Sequence, residues 1–196
     1  MKNLMLLSFV LCFGIAIGQT KIPSAESQIK TALYASPEMY QDGAKVLGYN
    51  EKGELVTLRE GNNGLICIAN SPKRNGVMVS CYSDKLETYM ARGRELADSG
   101  KNEAEKRELR KQDIDAGTLI MPKEPAAAYM VTATKEDYDF ETGALTNSKM
   151  RYVLYKPYMS GAETGLPTKP SAPGMPWLMD ADTHRSHIMI TPADNN

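Results

Sequence analysis

Apolar and polar positions along the chain change period several times, and each change marks a predicted element. Residues 24–35 place Ile29, Ala32 and Leu33 at helical spacing, and Pro37 closes that segment. Short β-type runs follow. Val46-Leu47-Gly48-Tyr49 and Leu55-Val56-Thr57-Leu58 are joined by Asn50-Glu51-Lys52-Gly53, which is hairpin chemistry. Gly61-Asn62-Asn63-Gly64 leads into Leu65-Ile66-Cys67-Ile68-Ala69. Ser71-Pro72-Lys73-Arg74-Asn75-Gly76 then turns the chain into Val77-Met78-Val79-Ser80-Cys81-Tyr82. These four runs predict an antiparallel meander.

The period then becomes helical. Asp84 with Glu87 resembles a capping box, and Leu86, Tyr89, Met90, Gly93, Leu96 and Ala97 form one apolar stripe over 85–97. Asn102 with Glu105 opens a second, charged helix that runs through Ile114 and stops at Gly117. Its basic residues Lys106, Arg107, Arg110 and Lys111 alternate with Glu103, Glu105 and Glu108, the pattern of a solvated, ion-paired face. Two more strands are expected at 129–134 and 150–156. Between them, 137–143 has the look of a calcium loop, but Thr142 and Ser148 stand where the EF-hand spacing needs Gly and Glu. A hairpin turning at Thr142-Gly143 is expected instead. Residues 157–176 hold five of the 11 prolines and predict a long surface loop, and a last strand is expected at 188–190. The expected fold class is α+β: a mainly antiparallel sheet of six or seven strands, the amphipathic 85–97 helix on one face, and the Pro/Gly-rich loop lying over 177–187.

Lys2 and Asn3 precede an apolar run over 4–17, with small residues at Ala16 and Gly18. The run is too short to span a bilayer, so 1–18 reads as a signal peptide cleaved after Gly18, leaving one domain over 19–196 in the periplasm or medium. No later stretch approaches membrane length, so no membrane insertion is expected after cleavage. With 23 basic side chains, one of them Lys2, against 24 acidic ones, the mature chain is nearly neutral. That balance argues against nucleic acid as a partner. Cleavage also removes Cys12 and leaves Cys67 and Cys81, which a hairpin centred on Arg74 sets opposite each other. A disulfide is expected.

Candidate chemistry collects near the C-terminal end. The two histidines, His184 and His187, lie beside Asp180 and Asp182. In a helical or turned conformation Asp180, His184 and His187 share a face, and carboxylate plus imidazole ligands suit zinc or another divalent ion. Glu163, in the proline-rich loop, is placed to fold over as a further ligand, and Arg185 either neutralises an aspartate or contacts a ligand. Trp177, the only tryptophan, is a core anchor under the loop or a stacking platform. No hydroxyl or thiol sits in a recognisable nucleophile frame.

The segments around Cys81-Tyr82, Met90-Ala-Arg-Gly-Arg-Glu-Leu96 and Met175-Pro-Trp-Leu-Met-Asp-Ala-Asp-Thr-His-Arg-Ser-His-Ile-Met189 resemble a family of small exported bacterial proteins with no assigned function. The resemblance implies a single secreted domain and carries over no activity or site. The function expected first is an exported soluble binding protein whose metal ion or small molecule sits at 177–187. A hydrolase using the Asp/His cluster is one alternative, and a structural or partner-binding module of the envelope is another.

Overall fold

A computed structural model describes residues 21–193 of the 196-residue chain. The expected signal segment and its cleavage point lie outside the described residues. The helices are α1 (Ala25–Leu33), α2 (Glu87–Asp98), α3 (Glu103–Asp115) and α4 (Gly161–Thr164). The strands are β1 (Lys45–Tyr49), β2 (Leu55–Arg59), β3 (Leu65–Ile68), β4 (Val77–Ser83), β5 (Ala126–Ala133), β6 (Lys149–Tyr155), β7 (Trp177–Met179) and β8 (His187–Ile190). All eight strands join in one sheet with the order β2-β1-β3-β4-β5-β6-β8-β7. The architecture is α+β and mostly antiparallel, as the periodicity predicts, with β7 as a strand beyond those expected.

The meander holds from β3 through β6 but not at its start. β1 pairs antiparallel with β2, as expected, yet it pairs parallel with β3, with Lys45 opposite Ile66 and Val46 opposite Cys67. The β2 hairpin is therefore pushed to the sheet edge and serves as the crossover that parallel neighbours need. The return link crosses the chain just before β1. Asn62 N donates to Gly43 O at 2.9 Å, and a Cβ on Gly61 would lie 2.5 Å from the Ala44 carbonyl carbon, so only glycine permits this crossing.

Each face of the sheet carries its own core. On one face Val46, Cys67, Val79, Cys81 and Val131 pack beneath Ala32 and Ala35 at the end of α1. Ser24 caps α1 by accepting from Ser27 N. On the other face Leu47, Ile66, Tyr82, Ala128 and Val153 pack with Leu86 and Met90 at the start of α2. Strand alternation explains the division: Val79 and Cys81 face α1, whereas Tyr82, the residue next to Cys81, faces α2. Cys67 stands directly opposite Cys81 in the β3–β4 register, and the two form a disulfide with a Cα separation of 4.0 Å.

The helix starts are a mixed outcome. At α3 the expected box is complete: Asn102 accepts from Ala104 N and Glu105 N, and Glu105 accepts from Asn102 N at 2.9 Å. At α2 it is not. Ser83 caps a single 3-10 turn over 84–86, and Glu87 instead accepts from Tyr82 Oη at 2.7 Å and from Arg94 Nη2 at 2.6 Å. The expected 137–143 hairpin closes by a single bridge between Tyr138 and Leu145, with Gly143 at φ 70°.

Candidate functional site

Alternation along β6 organises the C-terminal half of the α2 face. Lys149, Arg151, Val153 and Tyr155 occupy one side of that strand. Val153 opposes Met189 and Tyr155 opposes His187 on β8, while Trp177 and Met179 on β7 oppose Met189 and His187. One strip of sheet thus runs from a basic, exposed end to a buried aromatic end.

At the exposed end, residues 170–175 of the proline-rich loop arch beside the sheet and leave an open groove of about 710 Å³. Trp177, Met175, Met179 and Met189 supply its apolar lining, and Arg151 stands at its basic side. Trp177 is half-buried here. It is neither the core anchor nor a fully exposed platform, but part of a groove wall. The loop is held in place by backbone bonds from Leu178 N to Pro167 O and from Gly174 N to Thr191 O, both 2.9 Å.

At the buried end, the turn between β7 and β8 carries the residues that the sequence singles out. Asp180 and Asp182 both adopt left-handed backbone angles, φ 52° and 62°, which aspartate tolerates better than most residues. Ser186 is fully buried, and its hydroxyl lies 2.9–3.2 Å from the carbonyls of Thr183, Asp180 and Met159, which pins the turn against the start of the proline-rich loop. In this conformation the four expected metal ligands do not meet. Asp180 forms an ion pair with Arg185 at 3.3 Å. Asp182 is exposed. His187 lies against the Tyr155 ring, centroids 4.8 Å apart, and its Nδ1–H donates to the Arg185 carbonyl at 2.6 Å. His184 is buried edge-on to Tyr89 at 6.2 Å.

Among the described residues no group of three or more His, Cys, Asp or Glu side chains could hold a metal ion. Glu163 does not fold over the turn either. It is the third residue of α4, accepts from Ser160 N at 2.9 Å, and is consumed in that capping box. Neither aspartate of the turn orients an imidazole as the hydrolase reading needs, because Asp180 engages Arg185 and Asp182 is exposed.

The buried end gathers a different set. Tyr89 of α2 is 2 % exposed and packs on Tyr155 at 6.4 Å. The Arg110 guanidinium of α3 lies over the Tyr89 ring at 4.1 Å. Helical periodicity hides this residue among charged neighbours. Its neighbours do pair along the surface, Lys106 with Glu103 at 2.6 Å and Lys111 with Asp115, but Arg110 turns inward. The sequence signal is Gly93, which lies within α2 where Arg110 arrives.

Burial sets the protonation states. Loss of water, reinforced by the charges of Arg185 and Arg110, holds the His184 pKa below the ordinary imidazole value. Burial lowers His187 too, against an opposing pull from the Arg185 carbonyl. The Tyr155 hydroxyl is pushed up to about 12 by burial and by Tyr89 beside it. No helix among the described residues is long and apolar enough to cross a membrane. No protein-family model, curated protein or solved structure matches the chain, so the reading of these two sites rests on their own chemistry.

Proposed function

We propose that the protein is an exported binding protein whose ligand lies in the groove beside Trp177. The observation that carries this reading is the pairing of an apolar wall, made by Trp177, Met175, Met179 and Met189, with the exposed guanidinium of Arg151. A concave apolar surface with a few placed polar groups is the usual form of a small-molecule site. Indole and thioether surfaces accept flat or flexible apolar groups, and a guanidinium favours a carboxylate or sulfonate. The ligand class is therefore an amphipathic organic anion. The Cys67–Cys81 disulfide supports an oxidising compartment, and with it the signal peptide read over 1–18.

Because Trp177 is the only tryptophan, its fluorescence reports on the groove directly. Titration with anilinonaphthalene sulfonate, an aromatic anion, is expected to quench Trp177 saturably. Arg151→Glu and Met179→Arg should each abolish the saturable phase while circular dichroism stays unchanged. Equal quenching in all three proteins would remove the groove as the ligand site.

A second reading, a partner-binding module, draws on the opposite face of the same strands. Tyr152 and Leu154 are each 39 % exposed there, and they lie opposite Ile190 and Ile188. Sedimentation of the wild type and Leu154→Glu tests it, since a slower species in the variant alone would favour that reading.

A further inference from the structure

Four buried side-chain atoms around Tyr89 have no hydrogen-bond partner among the described residues: Tyr89 Oη, His184 Nε2, Arg185 Nη1 and Asp180 Oδ2. Leaving such a group unsatisfied costs about 1–3 kcal/mol, so native chains rarely assemble several in one place. Arg110 adds to the anomaly. It is 9 % exposed and forms no salt bridge with any described carboxylate, and its guanidinium and Nε–H reach only the backbone carbonyls of Tyr89 and Lys106. A buried guanidinium without a counter-ion is the exception among arginines.

The surrounding charge does not resolve it. Of the carboxylates whose fields reach this cluster, Glu103 is taken by Lys106, Asp115 by Lys111 and Asp180 by Arg185. Arg107 and Lys111 contribute further positive potential at Tyr89 and His184. The balance is a buried positive centre in which a phenol and a guanidinium nitrogen are available as donors, His184 Nε2 joins them as the Nε2–H tautomer, and the one acceptor, Asp180 Oδ2, already lies against Arg185 Nη2. A water can satisfy some of these groups but leaves the charge of Arg110 uncompensated, whereas an oxyanion accepts from the donors and neutralises Arg110 as well. Gly93 completes the cradle. A Cβ there would stand 2.9 Å from Arg110 Nη1, so the glycine sets how far the guanidinium enters.

We infer that Arg110, Arg185, Tyr89 and His184 form a binding site for a phosphate-type oxyanion between α2, α3 and the β7–β8 turn. The site lies apart from the Trp177 groove and does not rest on the groove reading. Asp180 pairs with Arg185 through Nη2 and leaves Nη1 for the anion.

The test is calorimetric titration of the mature, disulfide-bonded protein with inorganic phosphate and with phenyl phosphate, at constant ionic strength set by chloride. Saturable binding at one site is expected. Tighter binding of inorganic phosphate identifies a free ion, and tighter binding of phenyl phosphate identifies the anionic end of a larger molecule. Arg185→Gln should lose binding altogether. Tyr89→Phe keeps the ring under Arg110 and removes one charge-assisted hydrogen bond, so it should weaken binding about tenfold even if Arg185→Gln fails to fold. Phosphate heats no larger than those of chloride, or equal binding by wild type and Tyr89→Phe, would overturn the site.

Discussion

Gly93 and Arg110 occupy one space between α2 and α3: a methyl group on Gly93 would sit 2.9 Å from the Arg110 guanidinium nitrogen Nη1. Glycine in a helix interior costs about 1 kcal/mol relative to alanine, so this position gives up helix stability to admit a charged group.

The first prediction is a sign reversal. Gly93→Ala in the wild-type background should destabilise the protein, because the displaced guanidinium loses its place over Tyr89 and its bond to the Tyr89 carbonyl. In an Arg110→Met background the same change should stabilise by about 1 kcal/mol, since only the propensity term remains. Urea denaturation of the four proteins measures this. The same sign in both backgrounds would mean that the two residues are not coupled.

A second prediction concerns the Cys67–Cys81 bond. It joins residues 14 apart in sequence, a loop for which the loss of unfolded-chain entropy is about 3 kcal/mol. Both sulfurs are fully buried under α1. Dithiothreitol should therefore reduce the native protein only as fast as it opens, and the Cys67→Ala/Cys81→Ala protein should unfold at a markedly lower urea midpoint. Rapid labelling of both thiols in folded, reductant-treated protein would contradict the burial.

These two features differ in how visible they were beforehand. The Cys67–Cys81 pairing follows from turn residues and equal spacing about Arg74, because hairpin register is a local property. The Asn102–Glu105 capping box is local too. The parallel β1–β3 pairing is not, since it depends on where a whole hairpin swings, and Gly61 is its only trace in the sequence. The four expected metal ligands stand apart for a related reason. Spacing places Asp180, His184 and His187 on one face only if the turn is helical, and the left-handed Asp180 and Asp182 break that face. Arg110 was hidden among surface charges because periodicity does not tell which member of a basic run turns inward. What lies opposite Arg110, Tyr89 and His184, comes from other parts of the chain.

The third prediction is acid sensitivity in a defined window. The folded-state pKa values of His184 and His187 both lie below the unfolded value of about 6.5. Above that value both states hold neutral imidazoles and no stability depends on them. As pH falls below it, the unfolded chain takes up protons first, and stability drops by up to about 1.4 kcal/mol per pH unit for each histidine until the folded pKa is passed. Urea midpoints should be flat from pH 7 to 8 and decline from pH 6.5 downward. Replacing His187 with Gln should make the decline shallower, and an unchanged slope would contradict the assignment.

The last prediction separates a metal centre from a structural turn at Asp182. If Asp182 were a ligand, its removal would lower metal affinity and leave the backbone indifferent. The structure places it exposed at φ 62°, where its conformation matters more than its carboxylate. Asp182→Gly should then be close to neutral in stability, because relief of the left-handed strain is offset by the greater freedom of glycine in the unfolded chain. Asp182→Val should cost about 1–2 kcal/mol, since a β-branched residue is poorly accommodated at positive φ. Zinc added to chelator-treated protein should leave the melting temperature unchanged in the wild type and in both variants, because Asp180 is held by Arg185 and His187 by the Arg185 carbonyl. A zinc-dependent rise in melting temperature that disappears in Asp182→Gly would mean that the turn rearranges around an ion and that the ligands first read from the sequence do converge.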